Sequence, residues 1–535
     1  MDCNKLNEGE KNLGLFLLLT SFFIFFLSVF PAFFFDFALH EDHRFFDSRN
    51  GSNLFDLGLY NFLIGRPVTG ISTIVLHELF YPLYIEDFLA ARLTNLALAT
   101  AFIALFVKVF LASVKSWPNR VLFPLIVCLA IFSLPSLANT FIGVLHHHLY
   151  VAGFFGLLGG HIFVGSDRNN KKTRKLLFSF LLLQISLLTY PPNALCFLIP
   201  ILFQYQSSED APNTIRLAAF CMFSFFCYFM ISLISRNTLV NIAPFSEYAS
   251  FIFSSYDLRI DFSFASILSK LNDIWYNLFP RVFRYHWLNE SSFLWILNFC
   301  LYVLSIFFFF LRDISNKKPL FKNRGLGFLV LFFLAMVPLV AGPKVPNYYR
   351  VIFPIMVISL FPIVLFSQTF LPKILRSVIS LALICVVLIG AYGINKATQT
   401  TARYSQAEYE MTLKGISKIL KKSPELSCLH FIKGEINPIE HSSRNGIPIF
   451  HYSFNHNAWW GEFFAYAQSG LSTFDASTNY PLYDCGSSNV PDQDKCVMQI
   501  KSIAETGIIV TSAPSGGPSP HCSVSTEVDF KTIKQ

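Results

Sequence analysis

Through most of the chain, apolar residues come in long unbroken runs, not in the alternation of a strand or the single stripe of a surface helix. The runs lie near 13–35, 88–112, 121–137, 143–165, 176–190, 194–206, 217–235, 291–311, 325–342, 351–371 and 377–394. A membrane-crossing helix needs about 20 mostly apolar residues, since nothing in the hydrocarbon core can satisfy an open backbone group. Each run therefore predicts one span, eleven in all. Two of them, 176–190 and 194–206, are short and flank Tyr190-Pro191-Pro192-Asn193, which predicts two helices joined by a tight turn. The first run is too long for a typical cleaved signal and has no small-residue cleavage site before Asp36, so it reads as a retained helix. After about residue 395 the pattern changes. Residues 405–421 have helical spacing, while 428–433 and 507–511 read as short strands. The expected division is a transmembrane domain, 1–394, with outer loops 36–87 and 236–290, and a soluble α/β extracytoplasmic domain, 395–535.

Composition supports the membrane class. The chain is 53% hydrophobic and only 14% charged, where soluble domains carry about 25% charged residues. The net charge of +8 does not predict a nucleic-acid partner, because the Lys and Arg sit in short clusters between the runs, where they orient a membrane protein. The clusters are Lys5 and Lys11; Lys108, Lys115 and Arg120; Arg168, Lys171, Lys172, Arg174 and Lys175; Arg312, Lys317, Lys318, Lys322 and Arg324; Lys373 and Arg376. Eleven spans put them all on one side, with the N-terminus cytoplasmic. The turn 207–216 is weaker, with Glu209 and Asp210 against one Arg. Six cysteines lie in the apolar runs. Cys428, Cys485, Cys496 and Cys522 fall in the outer domain, an even number that predicts two disulfides in an oxidising compartment. Cys485 with Cys496 is the favoured pair, since the two bracket a loop-forming stretch; four free thiols are the alternative.

Polar chemistry gathers in the outer segments. Asp36-Phe-Ala-Leu-His40-Glu41-Asp42-His43-Arg44 puts two adjacent carboxylates just beyond the first span. A short helix over 53–63 and Gly65-Arg66-Pro67 follow. Pro67 suits the first position of a helix over about 67–80, because its missing N–H is not needed there. That helix carries Thr69, Ser72, Thr73, His77 and Glu78 and reads as interfacial, since a span there would reverse every positive cluster. The bland alternative for Glu41, Asp42 and Arg44 is a solvated loop with ion pairs worth under about 1 kcal/mol. Pro343-Lys344-Val-Pro-Asn-Tyr348-Tyr349-Arg350 places two cations near the outer boundary, either as phosphate ligands or as a snorkelling Arg among belt tyrosines. Arg281 and Arg284 are further cations among aromatic residues. His146-His147-His148 cannot all face one ion on a helix, where neighbours diverge by about 100°, so one or two of them read as facing a polar cavity or the outer interface.

The first helix, Glu41-Asp42-His43-Arg44, Gly65-Arg66-Pro67 and Asp87-Phe-Leu-Ala-Ala-Arg92-Leu-Thr-Asn95 together resemble the N-terminal part of multi-span glycosyltransferases of the GT-C type. The pattern looks most like the bacterial and phage O-antigen glucosyltransferases of serotype conversion. Leu187-Leu188-Thr189-Tyr190 is similar to a mid-chain Tyr motif of that family, with Pro191 where Gln is usual. The usual acidic pair is Asp-Asp, and here it is Glu41-Asp42. The resemblance covers about the first 200 residues and none of the C-terminal part. It implies a GT-C-like fold and inverting transfer of one hexose from a polyprenyl-phosphate-linked donor to a glycan or glycolipid acceptor, among membrane lipids at the outer face of the bacterial cytoplasmic membrane. Asp42 would be the base that takes the acceptor proton and Glu41 the second carboxylate. Arg44, Arg66, Lys344, Arg350 and Tyr190 would hold the phosphate and substrate. Some relatives by fold use a divalent metal, and His40-Glu41-Asp42-His43 has ligand types for one; no ligand geometry is fixed, so no metal is assigned. The rivals are an O-antigen polymerase, a lipid or glycan flippase, and a non-catalytic scaffold.

Overall fold

The computed structural model describes residues 8–34, 61–72, 74–75, 88–113, 121–142, 146–166, 172–206, 212–239, 241–242, 264–286, 292–340, 351–422, 428–432, 483–484, 495–503, 507–514 and 525–527. It is mostly helical. The longer helices are α1 (Glu8–Val29), α2 (Phe88–Ser113), α3 (Leu122–Phe132), α4 (Pro135–Ile142), α5 (His147–Gly165) and α6 (Lys172–Thr189). After α7 (Pro191–Ala194) and α8 (Leu198–Gln204) come α9 (Thr214–Leu239), α10 (Phe264–Asp273) and α11 (Phe279–Phe283). The remainder are α12 (Ser292–Ser315), α13 (Arg324–Val340), α14 (Phe353–Phe370) and α15 (Lys373–Lys422).

Among the described residues, seven helical stretches, in α1, α2, α5, α9, α12, α14 and α15, are long and apolar enough to cross a membrane, and α3 with α4 makes an eighth if the bent pair is one span. The chain is thus an integral membrane protein by its apolar helices. The α3–α4 pair bends by 50° at Leu134-Pro135, where proline lacks the N–H of the helical ladder and crowds the residue before it. Pro191–Gln204 and Arg324–Leu339 are apolar but shorter. The helix expected to finish near 394 does not: α15 passes through 394/395 unbroken and is 50 residues long. The cluster over 168–175 is not all loop either, since Lys172, Arg174 and Lys175 form the first turn of α6.

Side-chain contacts tie the helices together at two ends. At one, Gln204 donates to the Ser113 carbonyl (2.9 Å), Lys175 to the Gly165 carbonyl (2.9 Å), Arg216 to Ser166 Oγ (3.1 Å) and Thr214 to the Phe321 carbonyl (3.0 Å). Arg324 grips Asp313 there at 2.7 Å, with both side chains buried. The sequence counted Arg324 among the orienting cations; the pairing neutralises it, because a buried charge needs an opposite one. At the other end Asn193 donates to the Leu149 carbonyl (3.3 Å), Asn95 to the Phe141 carbonyl (3.5 Å) and Asn395 to the Leu27 carbonyl (2.6 Å). Consecutive long helices therefore run alternately between the two ends, and the described Lys/Arg clusters share the first.

Between the ends the core is aliphatic and phenylalanine-rich, and the helices approach closely through small residues. A Cβ on Gly156 would lie 2.5 Å from the Ala194 carbonyl oxygen, and one on Gly160 would overlap the Phe197 carbonyl. That contact seats α7 and α8 against α5. Large apolar side chains on α9 and α12, among them Phe223, Phe226, Ile234, Phe293 and Phe307, are exposed, as lipid-facing surfaces are.

Beyond residue 427 the described backbone forms five strands: β1 (Cys428–Ile432), β2 (Tyr483–Asp484), β3 (Lys495–Ile503), β4 (Gly507–Pro514) and β5 (Ser525–Glu527). They pair in the order β2-β1-β3-β4-β5, with β1 parallel to both neighbours and the other pairs antiparallel.

Candidate functional site

Two residues chosen from sequence, Arg66 and Tyr190, meet at the end opposite the Lys/Arg clusters. Tyr190 stands in the break between α6 and α7. Its backbone is extended (φ −155°, ψ 103°), which interrupts the helix, and Pro191 and Pro192 start the next one. The break leaves the Thr189 carbonyl open, and the Thr69 hydroxyl donates to it. Thr69 is buried in a helical stretch that begins at Pro67, as the sequence predicted.

Gly65 shapes the approach. Its φ is +81°, a conformation that costs a side chain but not glycine. There is also no room for one, since a Cβ would lie 2.9 Å from Ser232 Oγ on α9. Tyr228, one turn before Ser232, donates its hydroxyl to the Gly65 carbonyl at 3.5 Å. The turn is thus fixed to α9 on one side and to the α6–α7 break on the other. Arg66 emerges between them with its guanidinium carbon 4.4 Å from the centre of the Tyr190 ring. Stacking on an aromatic face orients the guanidinium and leaves its N–H groups free to donate. No carboxylate among the described residues pairs with it.

A second neighbour of Tyr190 is His148, with ring centres 5.3 Å apart. The sequence expected one or two of the three histidines to face a polar cavity or the outer interface; His148 lies beside Tyr190. His147 beside it is buried, and its Nε2 has no hydrogen-bond partner among the described residues. Asn193 is buried too, and its Oδ1 has no partner among the described residues. Arg92, in the first turns of α2, is 2% exposed. Sequence used Arg92 only in the family resemblance, although a lone Arg in an apolar run is itself a signal, because ionisable groups within membrane helices are expensive.

An Arg without a carboxylate, an imidazole and an aromatic face can together bind an anionic group attached to a planar or ring-shaped one. Of the other sequence-chosen groups, Glu41, Asp42, Arg44, Lys344 and Arg350 lie outside the described residues, as do Cys485 and Cys522. Cys428 and Cys496 are described as strand backbone only. Six other cysteines, Cys128, Cys196, Cys221, Cys227, Cys300 and Cys385, are free thiols in helices. Among the described residues no group of three or more His, Cys, Asp or Glu is placed to hold a metal ion. No family model, no curated protein sequence and no solved structure matches the chain.

Proposed function

We propose that this protein is an inverting membrane glycosyltransferase that moves a single sugar from a polyprenyl-phosphate donor to a surface glycan or glycolipid. The observation that carries the proposal is the Arg66–Tyr190 contact of 4.4 Å. It brings together two residues that resemble family motifs and lie far apart in the chain, at the end of the bundle away from the positive clusters. In this reading the two short apolar helices and α6 are also spans, giving eleven. The N-terminus is cytoplasmic, the residues after α15 form an extracytoplasmic α/β domain, and the membrane is the bacterial inner one.

The chemistry fits the residue types. Polyprenyl phosphate is a good leaving group, so the reaction needs little acid help. It needs a base within hydrogen-bond reach of the acceptor hydroxyl, a role assigned to Asp42, and a second carboxylate, Glu41, to stabilise the sugar as it gains positive charge. Arg66 takes the phosphate charge that grows as the glycosidic bond breaks, with Arg44, Lys344 and Arg350 as further cations and Tyr190 holding the guanidinium. The test is transfer in purified membranes, with a panel of polyprenyl-phosphate sugars and the host's own surface glycan. Wild type is compared with Asp42→Asn, Glu41→Gln and Arg66→Gln at matched expression. The expected result is transfer by wild type and loss in Asp42→Asn and Arg66→Gln. Equal transfer in every variant would remove this site.

A lipid or glycan transporter is the second reading, and Arg92, buried where a span begins, is the observation that favours it. Movement of labelled lipid across sealed vesicles without any sugar transfer would select it.

A further inference from the structure

The chain between α9 and α12 re-enters the bundle as one helical segment: α10, a π turn (Ile274–Leu278) and α11 follow one another without a break. Its second half is a wedge. Leu278, Val282 and Phe283 are fully buried. Phe283 packs its ring against Phe299, Tyr302 and Phe332, and its carbonyl accepts a 2.7 Å hydrogen bond from Asn298. His286 then fixes the chain, with Nδ1 3.1 Å from Ser133 Oγ at the α3–α4 bend. The contacts on α12 fall in its first half, whereas its last turn carries Arg312 of the positive clusters. The wedge therefore sits toward the opposite end, the same end as Arg66.

The first half is built differently. Leu268, Leu271 and Trp275 recur at helical spacing on one face, and they are 52%, 57% and 43% exposed. Tyr276, also exposed, flanks them. The same spacing shifted by two residues gives Lys270, Asp273 and Asn277 on the other side. Asn277 Nδ2 donates to Asp273 Oδ1 at 3.3 Å, and the Asn277 carbonyl accepts from Arg281 at 3.1 Å, so polar contacts continue along that side into α11. Lys270, Asp273 and Arg281 make the segment too polar to cross a membrane, and it is not among the candidate spans.

Trp275 sets the depth of the exposed face. Its ring meets Trp295 (5.5 Å between centres) and Phe299 (6.0 Å) in the first turns of α12, where a span leaves the hydrocarbon and tryptophan concentrates. About two turns further along the segment, Phe283 has moved only as far as Phe299 and Tyr302. The segment therefore crosses α12 obliquely, and α10, on the far side of Trp275, stays close to the level of the first turns of α12. The neighbouring surface of α12 faces lipid: Phe293, Ile296 and Leu297 are all exposed around Trp295. Trp275 joins the apolar face of α10 to that surface.

We propose that α10 is an interfacial helix whose Leu268, Leu271 and Trp275 side chains insert into the phospholipid leaflet at the Arg66 end, with Lys270, Asp273 and Asn277 turned to the headgroups and water. An amphipathic helix of this kind buries its apolar face about 5–10 Å into the boundary between headgroups and acyl chains. The partner is the bilayer surface itself, and the helix holds the wedge at a fixed level against it. This holds whatever reaction the protein performs, since the contact is measured without any substrate.

The test puts the photoreactive residue p-benzoylphenylalanine in place of Leu268, Leu271 or Asn277, one at a time, in the full chain in nanodiscs made of a single phosphatidylcholine. Both leucines are exposed, so the larger side chain displaces no packing. The same replacement of Phe307, exposed within a span, is the lipid-contact control. After irradiation, intact-mass spectrometry reads what each position has captured. The expected result is a mass shift of one phosphatidylcholine from positions 268 and 271, as from 307, and loss of that shift at 277. Cross-links from 268 or 271 to another segment of the chain, or to a second copy, would show that protein covers this face and would overturn the proposal. So would no adduct at either position while the Phe307 variant is labelled, because the face would then stand in water. Lipid adducts at 277 equal to those at 268 would also sink it, since the helix would then be immersed and not lying at the boundary.

Discussion

The Arg66 guanidinium lies on the face of Tyr190, 4.4 Å from the ring centre, and neither residue is near the other in sequence. The contact exists because Gly65 turns against α9 while Thr69 closes the open carbonyl of Thr189. Cation–π contacts of this kind contribute about 0.5–2 kcal/mol, more where water is excluded.

That contact predicts an order of effects. Tyr190→Phe keeps the aromatic face and should leave sugar transfer within about twofold of wild type. Tyr190→Ala should raise KM for the lipid donor about 3- to 30-fold, the equivalent of the cation–π energy, with kcat less affected. Arg66→Lys should fall between wild type and Arg66→Gln, because a point charge cannot donate as a planar fork. Steady-state kinetics across a donor titration checks all three.

The buried Asp313–Arg324 pair makes a separate prediction about stability. Asp313→Asn leaves a guanidinium without its counter-charge and should destabilise by about 3–5 kcal/mol, read as a fall in the melting temperature in detergent. Replacing both with leucine should cost clearly less than the sum of the single replacements. Additive losses would mean that the pair is not the unit that matters.

Gly160 predicts a steric effect. A methyl there meets the backbone carbonyl of Phe197, which cannot rotate away. Gly160→Ala should destabilise by about 1–3 kcal/mol, the cost of overpacking, and Gly160→Val by more. Gly165→Ala is the control: a Cβ there reaches only the flexible end of Lys175, at 3.8 Å.

Acid should loosen the re-entrant segment. Burial pushes the His286 imidazole down to about 4 from its ordinary 6.5. A protein that holds this residue neutral is stabilised fully above pH 6.5, because the unfolded chain has no charge to gain there. As pH falls below 6.5 the unfolded state takes up the proton first, so the contribution, of order 3 kcal/mol, is lost progressively toward pH 4. The melting temperature of wild type should therefore drop more between pH 7 and pH 4 than that of His286→Gln. Parallel curves would contradict the assignment.

Much of the helical part was legible in the sequence, because span-length apolar runs admit few structures. The break at Tyr190 was legible too, from the two prolines after it. What sequence could not supply was pairing. Asp313 and Arg324 look like two members of a charged cytoplasmic loop until the α12–α13 turn closes and buries both. His148 was noticed but not assigned, since only the packing of α5 on the α6–α7 break puts it beside Tyr190. The length of α15 was missed for another reason: the end of an apolar run marks where lipid stops, and a helix needs no lipid to continue. Of the site, Arg66 and Tyr190 were chosen from sequence through short motifs.

The unbroken α15 has a mechanical consequence. Fifty helical residues extend about 75 Å at 1.5 Å per residue, more than twice the roughly 30 Å hydrocarbon thickness of a bilayer. A helix of that kind is a shaft. Asn395 and Thr398 couple it to the carbonyls of Leu27 and Ser28 on α1, and Gly390 bears on His286. Rotation or tilt imposed on the shaft beyond Gln399 therefore bears, along one unbroken helix, on α1 and on His286.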